Sequence, residues 1–525
     1  MTKKILALLL AVFMLVPMLA ACGDEEKSDR KDREEREERE DTETTADTDL
    51  TDGNGTEEST SAETEESEPE VLGEIKEIMD YVTSLSLNND FSGKTFTIIG
   101  NSSQVPETLE ETGDLVNDSL YYRHRDIVEK FGIDLQNVVP EGVDGDVYNG
   151  TVRAVLTDVL AGTGAYDAGY GTAPATCQPL FTNGALADVS TLRGIDLGGE
   201  WWTKSFSDTY SIGGKHYFLN GPITTTYYTD THAVLFNREL AEDYGISDLY
   251  STVQNGEWTF DKLFTLAANV PTNENGAGVY RYAAPNGISI LYANGYAVTQ
   301  KDSKGLPYAP STLPEELSDI ADKFSAVFAD DAQTLHTKGL ITGTLEDFET
   351  KYGYDNAGEM FANGEVLFYF TTTDSAADLR AEDVEFGILP MPKGTSSQDN
   401  YVSYADPWLA FNVFVPKTTK DATVTGVILE AMAALGRIYL KNAYYDSLLR
   451  GRSTYDNEAR EMLDIIFETK VYDLVGVLED TSHSDFTRIL KASIQESSDG
   501  LASMYRLQTR IYNNKIQSLL KTILD

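Results

Sequence analysis

Apolar residues recur along the chain in short blocks, and their spacing alternates between the period of a strand and that of a helix. The blocks at 96–100, 133–135 and 166–171 are apolar runs bounded by glycine or polar residues, which is typical of buried strands. The segments 117–131 and 152–160 instead place apolar residues three and four positions apart, as amphipathic helices do. Strands alternating with helices predict an α/β protein with a mostly parallel sheet that is covered on both faces.

The alternation continues to about residue 416 and then changes character. Further strands are predicted at 233–237, 366–370, 384–389 and within 401–416. A helix is predicted from Trp258, with Thr259 as its N-cap. Beyond Lys420 nearly everything has helical spacing, up to a last helix near 504–523. The pattern therefore predicts an α/β core with a helical C-terminal region.

The first 22 residues have the pattern of an export signal. Two lysines precede a 15-residue apolar run at 5–19, which is shorter than the ~20 residues that span a bilayer. The run ends in Leu19-Ala20-Ala21-Cys22, and this tetrapeptide resembles the lipobox of bacterial lipoproteins. The resemblance implies that Cys22 is acylated and becomes the mature N-terminus. We therefore expect residues 1–22 to be a lipoprotein signal, and the protein to be lipid-anchored on the extracytoplasmic face of the cell membrane.

The next segment is acidic and almost free of apolar residues. Residues 24–70 hold 22 acidic and six basic residues, which predicts a disordered linker over 23–75. The whole chain has a formal net charge of −45, and subtracting the linker's −16 and the two signal lysines leaves −31 for 71–525. Such a charge repels polyanions, so we expect no nucleic-acid partner.

Motifs for catalysis and metal binding are missing from the chain. There is no G-x-S-x-G, H-E-x-x-H or Walker A motif, and the five histidines lack metal-ligand spacing. Cys177 has no cysteine partner once Cys22 is acylated, and we expect it to be a small buried residue. The chain is thus predicted to be no enzyme and to need no cofactor or metal. Two alternatives stay open: a surface glycoside hydrolase, which needs only two carboxylates, and a non-transport adhesion protein.

Five short sequence motifs follow one another along the chain. They lie at 185–190, 213–217, 235–240, 258–263 and 386–393. The order of these motifs resembles that in bacterial extracellular solute-binding proteins of family 1, which are the lipoprotein receptors of ABC importers. The resemblance covers about residues 91–445. The resemblance implies a two-lobed periplasmic-binding-protein-like fold of type II. Its expected lobes are 91–228 plus 400–445 for lobe 1, and 229–399 plus 446–525 for lobe 2. The long C-terminal tail, residues 446–525, departs from the family pattern.

The resemblance also implies where a solute binds, namely beside the strand ends and on the segments that cross between the lobes. The positions carried over are Tyr170, Thr172, Tyr228, Asp230, Thr372, Tyr404, Asp406 and Trp408. Aromatic faces stack on sugar rings while Asp and Thr exchange hydrogen bonds with hydroxyls, which favours a carbohydrate. We expect an oligosaccharide, and peptides or other polar solutes stay open as alternatives. Trp408 could instead be a core residue and Thr372 part of a turn. We expect a monomer that delivers its solute to the permease subunits of an ABC transporter by closing at hinges near Thr229 and Ser403.

Overall fold

The computed structural model of the chain describes most residues beyond the predicted linker. The described residues are 68–89, 91–101, 110–142, 147–273, 278–283, 285–336, 348–379, 382, 384–449, 456–478 and 485–524. The predicted signal, Cys22 and the predicted linker up to residue 67 lie outside them.

The strands fall into two five-stranded sheets and two short pairs. They are β1 Thr95–Ile99, β2 Asp134–Val138, β3 Ala168–Thr172, β4 Phe218–Leu219, β5 His232–Asn237, β6 Tyr280–Ala283, β7 Gln300–Lys301, β8 Pro307–Tyr308, β9 Thr334–Leu335, β10 Val366–Thr372, β11 Phe386–Pro390, β12 Ser403–Tyr404, β13 Phe411–Phe414 and β14 Lys470–Val471.

The α-helices cover the sheets and form most of the C-terminal region. They are α1 Glu68–Leu87, α2 Leu115–Phe131, α3 Val147–Ala161, α4 Gln178–Thr182, α5 Lys204–Tyr210, α6 Arg238–Asp243, α7 Leu249–Gln254, α8 Phe260–Ala267, α9 Gly287–Ala293, α10 Glu315–Phe328, α11 Phe348–Tyr352, α12 Ala357–Ala362, α13 Thr373–Asp378, α14 Ala422–Leu449, α15 Asp456–Glu468, α16 Val475–Leu478, α17 Asp485–Gln495 and α18 Leu501–Leu524.

The first sheet has the strand order β2-β1-β3-β13-β4. The predicted β-α-β unit is confirmed, because α2 connects β1 to β2 along the chain and the two strands pair in parallel. Asp114 caps α2 by accepting a hydrogen bond from the Asn117 N–H at 2.8 Å, and Gly132 ends the helix at a φ of 67°. That left-handed conformation is the one in which glycine avoids a side-chain clash.

The second sheet has the order β11-β5-β10-β6-β9. All six residues of β5 are buried. Helix α8 begins as predicted, with the Thr259 hydroxyl accepting from the Lys262 N–H at 3.1 Å. Trp258 is fully buried and donates its indole N–H to the Pro390 carbonyl at 2.9 Å.

The expectation of mostly parallel pairing is correct only for part of each sheet. Four of the eight pairings between neighbouring strands in the two sheets are antiparallel, and all four involve β5 or β13. Both of these strands follow segments that arrive from the other sheet, so each enters its sheet against the direction of its neighbours. Apolar spacing does not report that direction.

Helix α14 is the core helix of the C-terminal region. It is long and apolar enough to cross a membrane, but 78% of its most apolar stretch is buried inside the protein, as in the core of a soluble fold. It packs against α1 and α2. Helix α1 begins at Glu68, inside the range predicted as linker, because Ile78 and Val82 supply an apolar stripe that packs into this core.

The remaining tail helices pack mainly around the second sheet. Helix α15 lies against β11, α17 lies against α9 and α10, and α18 packs on α17. The predicted bounds of the two lobes stay a prediction. Cys177 is fully buried, as expected, and burial raises the pKa of its thiol.

Close packing of α14 against the 220–224 loop gives a test of this core. We predict that Gly436→Ala destabilises the protein by ~1–3 kcal/mol, because a methyl group at this position would overlap the carbonyl oxygen of Pro222. Gly73→Ala in α1 is the matched control, since no atom lies within 4 Å of its added methyl group. The control should be neutral or stabilising, as alanine is the better helix former by ~1 kcal/mol. Urea unfolding of both variants measures the difference, and equal midpoints would contradict the packing described.

Candidate functional site

The strand ends of both sheets lie beside two segments that run next to each other. One segment, 225–231, leads into β5, and the other, 401–410, leads into β13. They are joined by a bridge between Thr231 and Ala405 and by the Asp406 N–H, which donates to the Asp230 carbonyl at 2.7 Å. We call 225–231 and 401–410 the crossing segments.

The register of the sheets fixes which residues reach these segments. In the first sheet Thr172, the last residue of β3, pairs with Phe411 at the start of β13. In the second sheet Thr372, the last residue of β10, pairs with His232 at the start of β5. The Ala173 N–H also donates to the Pro407 carbonyl at 3.2 Å. The predicted positions on strand ends and crossing segments therefore do converge on one region.

Asp406 organises a polar cluster there. Its Oδ1 accepts from the Trp408 backbone N–H at 2.9 Å, and its Oδ2 lies 3.4 Å from His232 Nε2. The Asn286 amide nitrogen is 3.3 Å from the same imidazole nitrogen. Trp408 is 48% exposed, which resolves the two alternatives for this residue in favour of a surface position. An exposed tryptophan thus stands two residues from Asp406, whose carboxylate lies beside an imidazole and near an amide.

The electrostatics of the cluster keep Asp406 ionised. Burial acts to raise the pKa of this carboxyl, but the contact with His232, the Trp408 N–H and the positive charge of Lys491 outweigh it, so the pKa lies below its ordinary value. An ionised carboxylate is purely a hydrogen-bond acceptor, and Asp406 keeps about a fifth of its side chain exposed. It can therefore accept a hydrogen bond from a hydroxyl group.

Tyr404 forms the buried layer beneath this cluster. Its ring is nearly parallel to those of His232 and Tyr292, with centroid distances of 6.1 and 4.4 Å. Only 3% of the residue is exposed. Stacking on one face holds His232 in place, and stacking on the other joins the cluster to α9, which carries Tyr292.

Asp230 is fully buried, and its carboxylate is bound to a lysine of the tail. Its Oδ1 lies 2.5 Å from Lys470 Nζ and accepts from the Thr231 hydroxyl at 2.9 Å. Lys470 Nζ also donates to the Tyr227 carbonyl at 2.5 Å. Burial raises the pKa of Asp230 and lowers that of Lys470, and their mutual attraction opposes both shifts. In this structure the carboxylate joins a crossing segment to β14.

The other four predicted residues are also buried. Tyr170 lies beside the buried guanidinium of Arg123, and burial raises the pKa of its hydroxyl. Tyr228 packs between aromatic rings, with Tyr444 at a centroid distance of 5.5 Å. Thr172 and Thr372 are 0% and 9% exposed.

Of the eight predicted residues, only Asp406 and Trp408 therefore expose more than a tenth of their side chains. Contact of any of the eight with a solute stays a prediction.

Three members of the region were missed in the sequence. His232 is the first residue of β5 and Asn286 lies three residues after β6, and a polar residue next to a strand terminus was the signal that could have indicated them. Lys470 is 240 positions from its partner Asp230 and carries no such signal. Among the described residues, no group of three or more His, Cys, Asp or Glu side chains could hold a metal ion.

The buried ion pair between Asp230 and Lys470 supports a stability prediction. Lys470→Met should cost ~3–5 kcal/mol, because it leaves the carboxylate buried without its charge partner. The double variant Asp230→Asn/Lys470→Met should recover most of that loss. Lys204→Met is the control, since its ion pair with Asp208 is largely exposed and should contribute little. Urea unfolding measures the stability of each variant. If Lys470→Met were as stable as the parent chain, the role given to the ion pair would be wrong.

Residues 141–434 match the family model described as "Bacterial extracellular solute-binding protein". Comparison with curated protein sequences gives no match.

Solved structures give the fold. Similar to this chain are a sugar transporter from Rhizobium etli in an open conformation (11% identity, TM-score 0.53, 79% of this chain and 99% of that one), UspC from M. tuberculosis (13%, 0.50, 80% and 100%) and a cyclo/maltodextrin-binding protein complexed with maltotetraose (14%, 0.50, 83% and 98%). At these identities the similarity shows the fold alone, which is the two-lobed type II fold with an added helical C-terminal region. The family of the matching model works outside the cytoplasm. Because that model covers more than half of the chain, the protein belongs to the bacterial extracellular solute-binding proteins.

Proposed function

We propose that the protein captures a carbohydrate between its two lobes and delivers it to the permease of an ABC importer. The observation that carries this proposal is the exposure of Trp408, whose backbone N–H donates to the ionised carboxylate of Asp406. The apolar face of a sugar ring stacks on an indole, and its hydroxyls need acceptors such as a carboxylate. A sugar transporter and a maltotetraose complex among the similar structures support the same class of solute.

An oligosaccharide is the form of carbohydrate we propose. Trp408 is bonded through its backbone N–H to Asp406, and Asp406 in turn contacts His232, which lies near Asn286. A single stacking platform of this kind binds one ring, so the further rings of an oligosaccharide must find their contacts outside this cluster. The lobe bounds given above and a monomeric state belong to this proposal.

Delivery requires a change that the permease can recognise. We place the bending at the crossing segments, near Thr229 and Ser403, because domain closure concentrates rotation in a few residues at element ends. A solute drives closure only by binding the closed form more tightly than the open form.

Catalysis is not part of the proposal. A glycoside hydrolase needs two carboxyl groups that both face the substrate. Asp230 and Asp406 are neighbours on the crossing segments, but Asp230 is fully buried and ion-paired with Lys470. The neighbouring carboxylates therefore do not form an open catalytic pair.

The lipid anchor on Cys22 completes the proposed function. Acylation would hold the protein at the membrane that contains the permease, and the acidic stretch before α1 would act as a spacer. Each methylene buried in the bilayer contributes ~0.8 kcal/mol, so two or more acyl chains give a lasting attachment.

Solute binding is tested with a panel of mono- and oligosaccharides in a thermal-shift screen, followed by calorimetry. A ligand at about 100 times its dissociation constant should stabilise the protein by ~2.7 kcal/mol. Trp408→Ala should weaken the binding of a confirmed ligand by ~1–3 kcal/mol, as loss of a stacking platform does for other flat ligands, while stability changes little.

Tyr308→Ala is the control for this substitution, since Tyr308 is also an exposed aromatic residue but belongs to the separate β7–β8 hairpin. It should leave affinity unchanged. Equal affinity in Trp408→Ala and the parent chain would remove Trp408 from the site, and failure of every sugar in the panel would overturn the carbohydrate assignment.

The anchor is tested by substitution of the two cysteines. In a bacterial host, Cys22→Ala should move the protein from the detergent phase to the aqueous phase in detergent partitioning and abolish labelling with a radioactive fatty acid. Cys177→Ala should keep both properties, because Cys177 is buried. Labelling that survived Cys22→Ala would place the lipid elsewhere.

A further inference from the structure

The last helix, α18, has a charge opposite to that of the rest of the chain. The chain contains 86 acidic and 41 basic residues, yet Leu501–Leu524 contains no acidic residue at all. Its basic residues are Arg506, Arg510, Lys515 and Lys521. None of the four forms an ion pair within the part of the chain that the structure describes.

One face of α18 is firmly docked on the protein. Tyr505, Tyr512 and Ile516 are buried in the main core. The Tyr505 hydroxyl donates to the Pro310 carbonyl at 3.0 Å, and Asn513 exchanges hydrogen bonds of 2.9 and 2.8 Å with the backbone of Ala309. These contacts fix which side of the helix faces outward.

The outward face combines an apolar ridge with cations. Met504, Leu507 and Ile511 are 37%, 58% and 43% exposed, and their i, i+3, i+7 spacing places them along one line. At 100° per residue, Arg506 and Arg510 fall on one flank of this ridge.

A hairpin with further exposed side chains packs beside the helix. The β7–β8 hairpin, whose Tyr308 is 36% exposed, lies beside α18. Lys304 on the same hairpin is also exposed, and Asp302 accepts its backbone N–H and that of Leu306 in the turn. We call α18 together with Tyr308 and Lys304 the basic ridge.

We infer that the basic ridge rests on an anionic lipid surface. A helix of about 36 Å with an exposed apolar line flanked by cations is the arrangement of an interfacial helix, whose apolar side chains enter the headgroup region while its cations pair with lipid phosphates. Tyrosine favours the same depth.

The shape and charge of the ridge favour lipid over a protein partner. The exposed residues Met504, Leu507 and Ile511 form a line along the outward face of the helix, and such a line fits a broad deformable surface. The rest of the chain is strongly acidic, so an anionic membrane repels it and attracts this ridge. The contact would orient the two lobes on the membrane. It does not rest on the nature of the solute.

The inference is tested by co-sedimentation of the chain from residue 23 onward, which keeps every described residue, with lipid vesicles. The protein should bind vesicles rich in phosphatidylglycerol, bind phosphatidylcholine vesicles much less, and lose binding as salt is raised. Each cation near the surface contributes about fivefold in partitioning, so Arg506→Glu/Arg510→Glu should lower binding at least ~25-fold.

Matched controls come from the same chain. Arg153→Glu/Arg193→Glu changes the charge equally at two exposed basic residues on other elements and should leave binding within about twofold. Leu507→Ser should weaken binding, whereas Leu160→Ser should not, although Leu160 is 89% exposed. Unchanged melting temperatures confirm that all variants fold.

Three results would overturn the inference. The first is no binding to anionic vesicles at low salt, and the second is equal loss in the ridge variants and their controls. The third concerns phosphatidylcholine vesicles that contain the permease. If the protein bound these vesicles only when the permease was present, and Arg506→Glu/Arg510→Glu abolished that binding, the partner of the ridge would be a protein.

Discussion

A buried ion pair is the constraint on which the centre of this structure depends. Asp230 and Lys470 both lie almost completely out of contact with solvent, and neither charge could stay there without the other. Asp230 stands on a crossing segment, so its partner must reach the junction between the sheets. The chain meets this requirement by bringing the tail back: β14 pairs in parallel with β12, with Lys470 opposite Ser403. The tail is thereby part of the junction and not an appendage to it.

The residues that follow Lys470 extend this link to both sheets. Asp473 is buried, and burial raises the pKa of its carboxyl. Its backbone carbonyl accepts from the hydroxyl of Tyr210 on α5 at 3.0 Å. Its carboxylate accepts from Tyr292 on α9 and from the Thr299 N–H. The stretch 470–473 is thus bonded to helices on either side of the junction.

The sequence could predict the elements because their signals are local. The apolar run of β1 and the threonine that caps α8 each act within a few residues, and both were predicted correctly. The directions of β5 and β13 were not predicted, because both strands enter their sheets from the crossing segments. The start of α1 was missed because its first residues share the acidic composition of the preceding stretch.

The candidate site shows the same division between local and long-range signals. The resemblance indicated the right region, but burial decides what each residue there can do. Asp230 and Asp406 are similar in the sequence, yet one faces a lysine in the interior and the other keeps part of its carboxylate exposed. Trp408 could have been core or surface, and only its 48% exposure separates the two. Such differences depend on contacts between segments that are distant in the sequence. The spacing of residues along the chain does not indicate those contacts.

The family match covers residues 141–434, and the tail lies beyond it. Helix α17 lies against the start of α9, where a methyl group on Gly287 would lie 2.7 Å from the Lys491 carbonyl. The adjacent Asn286 contacts His232, and the charge of Lys491 helps to keep Asp406 ionised. Helix α18 packs on α17 and carries the basic ridge. The same tail therefore supports the polar cluster through one helix and presents a cationic surface through the next. Any movement of α17 that accompanies binding at the cluster must be taken up at its contact with α18.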